Sequence, residues 1–193
     1  MVNTRPRSTK SSTLCLVFAA AVAGVAGCSS GPTAEQRAFF DALCAMQGQT
    51  YEGRALYAST PDDPFLTERL VMHVESCDGG VIRVPFRVGD DRSRTWIITL
   101  GDEGMLLKHD HRDPDGTLHD LTDYGGWATR SGSAHAQSFE ADDDTARMLP
   151  EASTNVWTME IDRERNVFIY DLTRHAQPRF RAEFDLSRPI PNR

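Results

Sequence analysis

Beyond residue 80 the hydropathy of this chain alternates with a period of two, and little else so narrows what it can fold into. Ile82, Val84, Phe86 and Val88 alternate with Arg83, Pro85 and Arg87. Trp96, Ile98 and Leu100 share a face, as do Trp157, Met159 and Ile161, and as do Phe180, Ala182 and Phe184. Such alternation is what a strand with one buried and one wet face requires. Turn chemistry separates the runs: Asp78-Gly79-Gly80, Gly89-Asp90-Asp91, Gly101–Gly104, Asp113-Pro114-Asp115-Gly116 and Asp162–Asn166. The spacing predicts about eight to ten strands joined in order by hairpins. No strand–helix alternation is present, which argues against a parallel sheet. No internal repeat or second domain is marked.

One segment has helical spacing instead. Thr33 is followed three residues later by Gln36, a capping-box pattern, and Phe39, Phe40, Leu43 and Met46 recur on one face before Gly48. A helix over about residues 34–46 follows. The predicted fold is mainly β: an antiparallel up-and-down β-barrel of about eight to ten strands with one N-terminal α-helix.

The first segment belongs to export rather than to the fold. Arg5, Arg7 and Lys10 precede an apolar run from Leu14 to Ala26, and no acidic residue occurs before Glu35. That is the layout of a secretory signal, and the run is shorter than the roughly 20 residues of a membrane-spanning helix. At its end, Val25-Ala26-Gly27-Cys28 resembles the lipobox of bacterial lipoproteins. The resemblance implies removal of residues 1–27, acylation of Cys28 and attachment to the bilayer of the bacterial envelope. Ser29, rather than aspartate, after the cysteine implies the outer membrane, facing the periplasm, if the cell is Gram-negative. The alternative is a plain secretory signal that ends near a cysteine. On the lipobox reading, residues 28–32 are a lipidated tether and 33–193 one barrel domain.

Charge narrows the partners. The whole chain carries −7; loss of three of its 21 cationic residues with the signal leaves 18 against 28 acidic ones, a balance of −10. Such a domain offers no basic face to nucleic acid, and its membrane attachment must come from lipid rather than from charge.

Of four cysteines, Cys15 leaves with the signal and Cys28 is the acylation site, so the exported domain keeps Cys44 and Cys77. Two cysteines in an oxidising compartment pair; two buried free thiols are the alternative. The bridge would tie the predicted helix to the start of the strands.

The hairpin pattern resembles the calycin group, the lipocalins and fatty-acid-binding proteins, with Gly48-Gln49-Thr50-Tyr51 where lipocalins carry Gly-x-Trp. The segments Lys108–Gly116 and Tyr124-Gly125-Gly126 resemble exported bacterial proteins that have no assigned activity. The first resemblance implies a barrel that holds a small amphiphile; the second implies no chemistry.

Catalytic signatures are missing: there is no G-x-S-x-G elbow, no phosphate-binding loop, no H-E-x-x-H and no C-x-x-C. No catalytic residue, cofactor or metal is therefore assigned. His109 and His111 point the same way on a strand and could chelate a transition metal with a third ligand, but packing at a barrel mouth explains them as well. Asp113, Asp115 and Gly116 brush against the calcium-loop pattern, yet Thr122 stands where its bidentate glutamate belongs, so they read as a turn. Asp142–Asp144 reads as the cap of one helical turn before Pro150.

The arginines point to a ligand. Arg94 is in register with Trp96 and Ile98, and Arg174 with Phe168, Tyr170 and Leu172. A cation in an apolar register needs an anionic partner, from a ligand or from the protein, unless it reaches solvent at a strand end. If the face bearing Trp96, Met105, Leu107, Trp157, Met159, Tyr170, Phe180 and Phe184 lines a lumen, Arg94, His109, His111 and Arg174 supply its polar end. The leading expectation is a barrel binding a small amphiphilic or acyl ligand, with Arg94, Trp96, His109, His111, Trp157, Tyr170 and Arg174 as its contacts. The alternatives are a non-catalytic envelope structural or interaction module, and a metal protein or enzyme using His109 and His111.

Overall fold

The computed structural model describes residues 1–3 and 31–192. Cys15, the apolar run and Cys28, the expected acylation site, lie outside the described residues.

The chain begins with helix α1 (Ala34–Cys44), whose Thr33 and Gln36 exchange the two hydrogen bonds of a capping box. Strands β1 (Thr50–Ala58), β2 (Leu70–His73), β3 (Ser76–Asp78), β4 (Val81–Val88), β5 (Asp91–Gly101), β6 (Gly104–His111), β7 (Tyr124–Ala128), β8 (Ala136–Ala141), β9 (Val156–Asp162), β10 (Val167–Arg174) and β11 (Gln177–Asp185) follow. Short helices α2 (Pro64–Thr67) and α3 (Asp143–Met148) interrupt them, the latter continued by a 3-10 turn at Pro150–Ala152. From β4 to β11 each strand pairs antiparallel with the next; β11 pairs with β1, β1 with β2, and β2 with β4. Ten strands thus close an up-and-down barrel, and β3 extends the β4 edge just outside the ring.

The alternation dictates the layers. Inward side chains such as Ile82, Ile98, Met105, Phe168 and Phe184 are wholly or almost wholly buried. Outward side chains form ion pairs, Arg181 of β11 with Asp171 of β10 and Arg165 of the β9–β10 turn with Glu183 of β11. A bilayer-spanning barrel needs an apolar outer band, the reverse of this arrangement. Among the described residues no helix is long and apolar enough to cross a membrane.

Helix α1 closes one end of the barrel. Its apolar face buries Phe39, Phe40 and Leu43, and the Gln36 side chain donates to the carbonyls of Ala128 and Thr129. Cys44 and Cys77 are joined in a disulfide, with Cα atoms 5.5 Å apart, tying the end of α1 to β3. The helix stops two residues short of the expected Met46; a turn and Gly48, at φ +81°, carry the chain into β1.

Strand β7 passes between β6 and β8 through two glycines. A Cβ on Gly126 would stand 1.6 Å from the Glu140 carbonyl oxygen, so no side chain fits. Behind β7, the buried Thr145 hydroxyl bonds both the amide and the carbonyl of Gly125. Asp142 caps α3 through the Thr145 amide and receives the Lys108 ammonium at 2.6 Å. Burial would raise the Asp142 carboxyl, but the Lys108 and Thr145 hydrogen bonds outweigh it and hold it below the usual carboxylate range.

Candidate ligand-binding site

At the end opposite α1 the barrel opens into a cup of about 360 Å³. Strands β5, β6, β9 and β10 build its wall from alternate residues, β4 and β7 add Phe86 and Tyr124, β11 adds Arg179 and Phe180, and α2 and the segment after α3 contribute to its rim. The cup does not run through the barrel. Met105, Leu107, Met159 and Phe184, expected along a lumen, are instead packed in a solid core beneath it. Trp96, Trp157, Tyr170 and Phe180 do line the opening. The physical reason is volume: side chains meeting from ten inward faces, with α1 pushed in below, fill the lower half.

The floor is aromatic and internally satisfied. Trp96 stacks on Tyr170 with ring centroids 4.5 Å apart, and His109 stacks on Tyr124 at 4.7 Å. His109 is 5% exposed. Its Nδ1 lies 3.1 Å from the Tyr124 carbonyl oxygen, which can only accept, so Nδ1 carries the proton. Nε2 then accepts from the Tyr170 hydroxyl at 2.6 Å. The Tyr124 hydroxyl in turn meets His111 Nε2 at 3.1 Å. Burial holds the His109 imidazole down to about 3, with the Lys108 and His111 charges acting in the same direction. Burial, then the Arg94 and His119 charges, lowers His111 to about 4. The Tyr124 hydroxyl is pushed up to about 12 by the same desolvation. All four groups are neutral at physiological pH, and the floor suits an apolar body.

The rim is cationic. Arg94, Arg174 and Arg179 line the cup. The Arg94 guanidinium already bonds Asp91 and lies over the Phe65 ring, 5.3 Å from its centroid. Hydrogen bonds from Ser93 and Arg94 outweigh burial and keep Asp91 ionised, at about 2. Arg174 Nε donates instead to the neutral Asn155 side chain at 2.8 Å.

Each of Arg94, Trp96, His109, His111, Trp157, Tyr170 and Arg174 lines this cup. The sequence reading omitted Tyr124, Phe65, His119, Asn155 and Arg179, which line it too. Tyr124 opens the Tyr-Gly-Gly run, and Asp63-Pro64 is a cap-and-proline start that could have placed Phe65 on a helix. The metal alternative finds no support. Both nitrogens of His109 are engaged, and among the described residues no three His, Cys, Asp or Glu side chains cluster as metal ligands. Asp113–Gly116 is a turn closed by a Gly116 N–H to Asp113 carbonyl bond.

A larger groove, about 830 Å³, lies along the outer wall of β1, β10 and β11. Four of its charges pair with one another, Arg165 with Glu183 at 2.6 Å and Arg188 with Asp185 at 3.1 Å, and Glu52 pairs with Arg69 beside it.

The chain matches no family model, no curated protein and no solved structure among the known proteins it was compared with.

Proposed function

We propose that this chain is an exported lipoprotein, anchored to the bacterial envelope through acylated Cys28, that binds a small amphipathic molecule in the cup. The observation that carries the binding reading is the floor: its polar atoms already bond one another, beneath a rim that bears three arginines. An apolar group resting on the His109–Tyr170 and Tyr124–His111 pairs leaves their hydrogen-bonded atoms satisfied. A ligand therefore enters tail first. The cup is near the small end of the roughly 300–1,000 Å³ range of ligand sites, which suits a short acyl chain or a single ring system. Each methylene buried contributes about 0.8 kcal/mol until the chain meets the packed core.

Fluorescence of Trp96 and Trp157, both in the cup wall, tests the reading directly. Titration with acyl carboxylates of increasing length should give a saturable change whose affinity rises with length and then stops rising. No saturable response from any member of the series would refute the binding function. The filled lower half favours the envelope structural module as the reading that then remains.

A further inference from the structure

We propose that Arg174 and Arg179 form a two-guanidinium clamp for a compact oxyanion, a carboxylate or phosphate monoester head, on the ligand of the cup. The proposal rests on the binding reading above and adds which groups choose the ligand.

The backbone shows that Arg179 has been re-aimed. Phe180, Ala182 and Phe184 face inward, so simple alternation puts both Arg179 and Arg181 on the outer wall. Arg181 is there, paired with Asp171 at 3.1 Å. Arg179 is not; it lines the cup beside Phe180. The pairing of β10 with β11 runs from Leu172–Phe180 directly to Thr173–Pro178, which leaves Arg179 as the extra residue of a bulge. Bulges of this kind redirect a side chain and recur beside binding sites and at barrel rims. The Arg179 carbonyl is held by the Ser59 amide at 2.8 Å, which fixes the bulge from the β1 side.

The two cations lack the carboxylate partners that Arg165 and Arg181 have. Arg174 is oriented by the Asn155 oxygen through Nε, and among the described residues neither it nor Arg179 forms an ion pair. Both are only half-buried, so solvent reaches them. The one carboxylate that lines the cup among the described residues, Asp63, is engaged in capping α2 through the Phe65 amide. A chain with a net charge of −7 thus leaves two guanidinium groups without a carboxylate above an aromatic floor. Two planar, multi-donor groups lining one cup select an oxyanion over a neutral hydroxyl. Arg94 is already committed to Asp91.

The test compares octanoate, octyl phosphate and octanol on the oxidised domain, by tryptophan fluorescence and by calorimetry. The two anions should bind at least tenfold more tightly than octanol. Arg174→Gln and Arg179→Gln should each lose about tenfold for the anions and little for octanol. Arg181→Gln, outside the barrel, should match the wild type, and Arg94→Gln should lose less than either clamp variant. A preference for octyl phosphate over octanoate, or the reverse, identifies the head within the same clamp. If octanol binds as tightly as both anions, or Arg94→Gln loses most, the clamp is wrong while the cup stands. If none of the three binds, the cup falls with it.

Discussion

His109 couples the floor of the cup to the stability of the barrel. Its imidazole has a folded value of about 3, while an exposed histidine in the unfolded chain titrates near 6.5. Between these values the unfolded state binds a proton that the folded state refuses, so stability falls as pH drops through that window. The limiting slope from this one group is about 1.4 kcal/mol per pH unit, and His111, lowered to about 4, adds to it. The surrounding groups offset the effect only in part: the Tyr124 carbonyl favours a charged His109 and Asp91 and Asp110 a charged His111, but burial with the Lys108 and Arg94 charges prevails, and Tyr124 and Tyr170 stay neutral. His109→Gln removes the titrating group and should flatten the dependence, although the lost stacking and the Tyr170 bond will lower stability at neutral pH. Urea unfolding at pH 7 and pH 4.5 decides: equal losses for wild type and variant would mean that His109 is not the group responsible.

Among the elements, α1 is the one whose place depends on a covalent tie. It caps the barrel through Phe39, Phe40 and Leu43, but its end is held to β3 by Cys44–Cys77, across a separation of 33 residues. In the chain-entropy account a loop of that size is worth about 3–4 kcal/mol. Cys77→Ser together with Cys44→Ala should lower unfolding stability by about that much and leave the far-ultraviolet β signal nearly unchanged. Two reactive thiols in the unfolded, unreduced wild type would show that no bridge forms. The helix, the disulfide and the strands were all legible, because period, caps and cysteine count are local or countable properties. Less legible were the elements that shape the rim. The bulge that turns Arg179 inward depends on a mismatch between two strands, and alternation along one strand carries no trace of it. Residues 112–123, between β6 and β7, include a bridge between Arg112 and Leu118 where hairpin spacing suggested an immediate strand. The inward register of Arg94 was readable, but not its bond to Asp91 three residues earlier, which sits across the start of β5.

At the scale of the whole molecule, the proposed anchor and the cup lie at opposite ends. The Gly31 carbonyl accepts from Arg130, in the β7–β8 connection at the α1 end, and a Cβ on Gly31 would lie 3.6 Å from the Asp102 carbonyl oxygen in the β5–β6 turn. Cys28 precedes Gly31 by three residues, a reach of about 10 Å at full extension. The barrel wall is longer than that: β5, at eleven residues, rises roughly 25–30 Å along the axis at an ordinary strand tilt. An acylated chain must therefore stand on its α1 end with the mouth turned away from the anchoring bilayer. On the proposed binding function, the cup would then take its ligand from the aqueous compartment or from a facing surface, not from the lipids beneath it. Fluorophores on Asp102→Cys and on Thr117→Cys, placed on the acylated protein bound to vesicles with a lipid-borne quencher, measure this. The label at 102 should be quenched strongly and the label at 117, at the mouth end, weakly or not at all. Equal quenching at the two positions would sink the upright orientation, whereas failure of the protein to float with vesicles would sink the anchor itself.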